Sequence, residues 1–524
     1  MFGWAAMSTA ADTAKPNSGF GSIASRQAVW AVAAALFVAA VPFAAFTALT
    51  LYHFYVKGGF FWDSGLLAFL MSQVDPRLPT PPIFGGESFF TTHFTPIFLV
   101  LSPIQRVLPL SDTQFFAVFC GFCHALPGLA VFSLLYSGFR LRTALGLAVA
   151  AIVSIAFCFN GLALAIARYP HFEMLIVGTA LLFFVALARR QLALASVFFA
   201  ACLASREDAG FHLFGVLFLL VALNRYRGIA LRDQWREIVF AAFALAYSLA
   251  VLWFQHAVFG GQSSFARIYL GEPAFTKLSL AGIGERLLGY VQYRTYLVLP
   301  AIVALFWAAR TRNPYILLGY ATFLPWALLH LIADSNLAGT LSAYYAYPFM
   351  IAAFWPLLGI VYAERSGTGV TKPAAVSILA FGAMIGVSFT AVGQQHNPGG
   401  LALPANFLSP PSLARQHATE QAIGALTRSK SELGTVFVDG SVLALAPAGY
   451  RSDETVRDAG DRHPDAVIYF DQGYEASAAR AVAAAARLDN YYQVPGTSIR
   501  LATGRPIDGA SPLTALLVPA GPVR

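Results

Sequence analysis

Eleven long apolar runs, nearly all free of charged residues, fill this chain as far as residue 393. Runs of that kind are unstable in water, and about 20 apolar residues suffice to cross the hydrocarbon core of a bilayer as a helix. They lie at 28–51, 114–138, 143–159, 171–188, 191–204, 209–223, 238–259, 296–309, 315–332, 345–362 and 373–392. The pattern predicts an all-α polytopic membrane bundle of about eleven transmembrane helices. Composition agrees, since 57% of the 524 residues are hydrophobic and only 11% are charged, whereas soluble domains carry roughly 25% charge. A soluble enzyme, a fibrous protein and a disordered chain are excluded. The formal charge of +8 is then a question of membrane side, and no nucleic-acid partner is expected.

Residues 1–27 read as a cytoplasmic leader, and the first run, longer than the core of a cleaved signal, reads as an anchor. With the amino terminus inside, 14 of the 23 bases that precede residue 394 fall in the cytoplasm, among them Arg140, Arg142, Arg189, Arg190, Arg225 and Arg227. The Lys/Arg bias therefore predicts a carboxyl terminus on the outer side. Residues 94–110 are also apolar but contain Pro96, Pro103, Arg106 and Pro109. If they crossed, the four arginines at 140, 142, 189 and 190 would move outside. Residues 52–112 are accordingly expected to form one long external loop, its second half a helix lying in the interface. Loops of this length are uncommon unless functional.

Beyond residue 393 the chain carries 11 bases and 12 acids, the balance of a soluble unit. Residues 394–524 are expected to form a small extracytoplasmic α/β domain, with strands at 434–446 and 466–471 and a helix at 477–488. Cys120, Cys123, Cys158 and Cys202 all lie in apolar runs. They read as small core residues, not as a redox pair or a disulfide framework.

Candidate chemistry collects at one membrane face. The loop opens with GGFFWDSG, whose Asp63 sits among aromatics, where a carboxylate can act as a general base or metal ligand; a helix cap or loop ion pair is the plain alternative. TTHFTP offers His93 as a proton shuttle. ARYPHFEM crowds Arg168, Tyr169, His171 and Glu173 into one turn, and Arg168 could grip a phosphate or merely snorkel to headgroups. SREDAG places Arg206, Glu207 and Asp208 in a short turn between apolar runs, which is costly near lipid unless they are paired. Ser205 and Asp208 also have capping-box spacing. Arg294 stands with several tyrosines in the outward segment 260–295, and His330 and Asp334 are one helical turn apart.

Four of these pieces, FWDSG, TTHFTP, HFE and RED, in this order and on one membrane side, resemble a bacterial and archaeal family of membrane proteins defined only as a domain of unknown function. That family is distantly similar to the GT-C superfamily of glycosyltransferases. The tail, with LALAP followed by PDAVIYFD, resembles the family's outer domain. The resemblance implies a GT-C-like bundle over residues 28–393 in the bacterial inner membrane. It implies an integral membrane glycosyltransferase that moves a sugar from a polyprenyl-phosphate donor to an acceptor hydroxyl at the outer face. Asp63 matches the first-loop catalytic acid, with His93, Glu207 and Asp208 as further catalytic candidates. Arg168, Tyr169, His171, Glu173, Arg206 and Arg294 are expected to bind substrate. The paired acids of several GT-C first loops are missing, so a divalent metal cofactor stays an open question. A transporter or lipid flippase, and a non-catalytic scaffold, are the alternatives. Transporters place ionisable residues near the bilayer midplane, whereas here the charges gather at one face.

Overall fold

A computed structural model of the chain describes residues 20–58, 64–260, 266–275, 278–341, 343–365, 374–389 and 410–521. Among the described residues each of the eleven apolar runs is helical. In chain order the first helices are α1 (Phe20–Tyr52), the short α2 (Leu66–Met71), α3 (Ile97–Val107), α4 (Asp112–Ser137), α5 (Ala144–Cys158) and α6 (Gly161–Ala167). They are followed by α7 (Glu173–Ala188), α8 (Leu192–Leu203), α9 (Ala209–Tyr226), α10 (Trp235–Phe259) and α11 (Leu280–Tyr293). The bundle closes with α12 (Thr295–Thr311), α13 (Leu318–Leu331), the single turn α14 (Asn336–Gly339), α15 (Pro348–Arg365) and α16 (Ala374–Ser388).

The expected number of spans is corrected downward. Six helices are long and apolar enough to cross a membrane, or up to eight if two bent pairs each count as one span. The cause is length. At 1.5 Å per residue, the 16 residues of α7 and the 12 of α8 fall short of a hydrocarbon core of about 30 Å. Every residue of α7 is buried, so this helix is the centre of the bundle. The α5–α6 pair bends by 45° where Asn160 accepts the N–H groups of Leu162 and Ala163 at 2.9 Å each and starts a new helix. All four cysteines are buried and unbonded to one another.

Residues 94–110 hold no helix long enough to cross a membrane. Helix α3 has 11 residues, and it exposes Leu99, Val100, Ile104 and Val107 along one side. Its first N–H, that of Ile97, donates to the Ala204 carbonyl at 2.9 Å, which joins the segment after α2 to the end of α8.

The carboxyl-terminal unit contains α17 (Leu413–Arg428), a single helical turn (Lys430–Leu433), a five-stranded sheet, and the helices α18 (Gly440–Leu445) and α19 (Ala476–Ala485). The strands are β1 (Val436–Val438), β2 (Ala466–Phe470), β3 (Asn490–Gln493), β4 (Ile499–Thr503) and β5 (Val518–Ala520), in the order β1-β2-β4-β3-β5. Only β1 and β2 are parallel. The expected strand at 434–446 is corrected to three residues of β1 followed by α18, because Asp439 accepts the N–H groups of Ser441 and Val442 and caps a helix instead. Strand alternation splits the core. Val436, Val438, Ile468, Phe470, Ile499 and Leu501 join the core shared with the bundle, while Phe437, Val467, Tyr469 and Ala502 pack with the alanines of α19.

Candidate functional site

The TTHFTP element and the RED turn meet directly. His93 Nδ1 lies 2.9 Å from Glu207 Oε1, and the Phe94 N–H donates to Glu207 Oε2 at 2.9 Å. One carboxylate thus fixes both the backbone and the ring orientation of the loop, and among the described residues Nε2 of His93 carries no hydrogen bond. A carboxylate on one ring nitrogen sets the tautomer and leaves the other nitrogen to work as a base. Glu207 is itself held from behind, since Ser248 Oγ donates to its carbonyl at 2.6 Å. That approach depends on Gly210, where a β-carbon would collide with the Ala244 carbonyl and the Ser248 hydroxyl.

Next to this pair lies a denser knot. The Arg206 Nη1–H donates to Glu173 Oε1 at 2.7 Å, and its Nε and Nη2 both reach the Asp208 carboxylate, the first at 2.6 Å. Arg206 also lies 5.4 Å from the ring centroid of Tyr347. The Tyr347 hydroxyl is 2.6 Å from His212 Nε2, and His171 faces the second oxygen of Glu173 while stacking on Tyr344 at 4.2 Å. Glu173 is 1% exposed and Arg206 8%. Burial alone would raise the Asp208 carboxyl, but the Arg206 guanidinium and His212 outweigh it and hold the group well below the usual carboxylate range. Burial, with Arg206 and His93 nearby, keeps His171 well below its ordinary value.

Two sequence expectations change here. The capping-box reading of Ser205 and Asp208 fails: Ser205 Oγ donates back to the Ala201 carbonyl at 2.8 Å, and Asp208 makes no side-chain cap. Arg206 is not a free substrate grip, because two carboxylates already occupy its fork. His212 and Tyr347 were not anticipated. The first had a signal, four residues after Asp208 on the same helical face; Tyr347 is distant in sequence and had none.

The arginines at the other end differ from Arg206. Arg294 donates through Nε to the Thr340 carbonyl and through Nη1 to the Tyr293 carbonyl, both at 3.0 Å. Arg168, with Tyr169 following it, is 8% exposed, yet among the described residues its Nε and Nη1 have no hydrogen-bond partner. Burial pushes it down to about 10, with Arg294 adding repulsion and Tyr296 and Tyr169 opposing the shift. Asp63 lies outside the described residues; its neighbour Ser64 donates to the Pro170 carbonyl at 2.9 Å. His330 is occupied by the Ala338 carbonyl at 2.7 Å and the Tyr269 hydroxyl at 3.2 Å. Among the described residues no group of three or more His, Cys, Asp or Glu side chains is arranged to hold a metal ion.

No protein-family model matches the chain, and no curated protein matches it either.

Proposed function

We propose that the chain is a GT-C-like membrane glycosyltransferase that takes its sugar from a polyprenyl-phosphate donor at the outer face of the bacterial inner membrane. Arg168 is the observation that carries this reading. A buried guanidinium with no acidic partner among the described residues costs several kcal/mol, and its Nε and Nη1, which have no acceptor there, suit the oxygens of an anion such as a phosphate. Arg206 is spent on Glu173 and Asp208, and Arg294 on carbonyl oxygens, so the phosphate role that all three shared in the sequence narrows to Arg168.

In the proposed reaction an acceptor hydroxyl oxygen attacks the anomeric carbon of the sugar. The bond from that carbon to the phosphate oxygen breaks, and the bonding pair leaves with the phosphate, whose charge Arg168 stabilises. The hydroxyl proton passes to His93 Nε2, with Glu207 compensating the imidazolium that forms. The GT-C resemblance gives the same proton to Asp63. Single variants of the two residues separate these assignments.

The test is donor-lipid binding to purified protein in nanodiscs, read by native mass spectrometry against polyprenyl phosphate. Loss of a charge-assisted hydrogen bond at about 1.5–3 kcal/mol should weaken binding roughly 10-fold to 100-fold in Arg168→Ala. Arg168→Lys should recover part of it. Equal binding by wild type and Arg168→Ala would remove the phosphate site and with it the main support for a polyprenyl-phosphate donor.

A further inference from the structure

Helix α11 has no buried residue, although it is tied to the protein along one side. Arg286 Nη1 donates to the Leu331 carbonyl at 2.9 Å, the Tyr290 hydroxyl to the Gly339 carbonyl at 2.7 Å, and Arg294 Nε to the Thr340 carbonyl at 3.0 Å. These three residues are spaced by four and so form one spine of the helix. The face next to this spine is apolar and exposed: Leu280 is 90% exposed, Leu287 49%, Leu288 56% and Val291 59%. At 100° per residue those four, with Gly284 between them, fill an arc of roughly 100°. Exposed Glu285 and Gln292 border that arc on one side.

We infer that this face of α11 lies in the lipid surface, as an interfacial helix set across the membrane plane. The direction of the helix is the second observation. Arg294 ends α11 and begins α12, and the two helices meet at 82°. Helix α12 is apolar and presents Ile302, Leu305 and Phe306 outward, the last 71% exposed. If α12, 17 mostly apolar residues long, enters the bilayer along its normal, its neighbour at a right angle runs along the surface. An apolar stripe with a polar border, held to the protein through the adjoining face, matches the amphipathic helices that bury one face at the headgroup boundary. The occupant is lipid acyl chain, continuous with the lipid that covers α12. This inference goes beyond the transfer reading and stands without it.

The experiment is site-directed spin labelling of the full chain in vesicles of phosphatidylethanolamine and phosphatidylglycerol. The four native cysteines are buried, so single cysteines replacing Leu287, Leu288, Val291, Glu285 and Gln292 take the label selectively. Accessibility is compared between oxygen, which concentrates in lipid, and a water-soluble nickel chelate. Positions 287, 288 and 291 should favour oxygen, with a ratio above one, while 285 and 292 should favour nickel. Nickel preference at 288 and 291 would place the face in water and overturn the inference. Label–label coupling between protein copies at 287 and 291 would overturn it in favour of a self-association surface.

Discussion

Glu420 of the carboxyl-terminal unit accepts a 2.5 Å hydrogen bond from Tyr55 at the end of the first helix, 365 residues earlier in the chain. The same oxygen accepts from Ser111 at 2.6 Å, and one turn away Gln114 donates to Gln416 at 2.9 Å. Tyr55 and Ser111 flank the long loop that carries the histidine and acid motifs. Ser498 strengthens the contact by donating to the Val56 carbonyl at 2.9 Å. Helix α17 therefore holds both roots of that loop together.

Glu420→Ala strips this junction of its shared acceptor. Thr113 still bonds Tyr55 and Ser111, but loss of the charged acceptor costs about 1–3 kcal/mol, and backbone amides near both roots, at 55–58 and 108–114, should exchange hydrogen faster than in wild type. Hydrogen exchange with mass spectrometry in nanodiscs reads this directly. Unchanged exchange at both roots would show that the loop is held by other contacts.

Arg206 and Arg168 should respond in opposite ways to removal. Arg206→Ala strands two carboxylates, Glu173 and Asp208, and breaking a buried pair costs about 3–5 kcal/mol. Arg168→Ala removes a guanidinium that has no acid partner among the described residues, so thermal stability in detergent should stay level or rise. If Arg168→Ala were the more destabilising of the two, its side chain would have a structural role instead.

The acid limb of stability should carry the signature of Asp208. Its folded pKa lies below the unfolded value of about 3.9, so the unfolded chain binds more protons there. The contribution is present above about pH 4 and is lost as pH falls further. The gap in thermal midpoint between wild type and Asp208→Asn should be constant at pH 5–7 and shrink below pH 4. A gap that does not change with pH would mean that the Arg206 pairing adds no charge-dependent stability.

The sequence revealed which segments are apolar and helical, because hydropathy depends on local composition. How far each helix reaches depends on its neighbours, and that is where the span count failed: α7 is short and enclosed, which composition alone does not show. His93, Glu207, Glu173 and Arg206 were all legible as candidates, since charge is costly beside lipid and stands out. Their pairing was not, because Glu207 chooses His93 over a nearer partner only through the packing of α9 on α10 at Gly210. In the tail, Asp439 turned an expected strand into a capped helix, a competition between backbone and side-chain acceptors that β-propensity does not register.

On the transfer reading, His93→Ala should lower sugar transfer about 100-fold or more, as loss of a general base usually does, and Glu207→Gln should fall between it and wild type. Asp63→Asn is the paired control, assayed with labelled donor at equal monodispersity. A large loss in Asp63→Asn with near-normal turnover in His93→Ala would return the proton to Asp63.

The most direct measurement is a cryo-electron microscopy map of the protein in nanodiscs containing polyprenyl phosphate. Phosphate density within hydrogen-bond reach of Arg168 Nε or Nη1, absent from the same map of Arg168→Ala, is the expected result. A map in which the lipid phosphate sits elsewhere, or in which Arg168 is unchanged at saturating lipid, would contradict a polyprenyl-phosphate donor site in this protein.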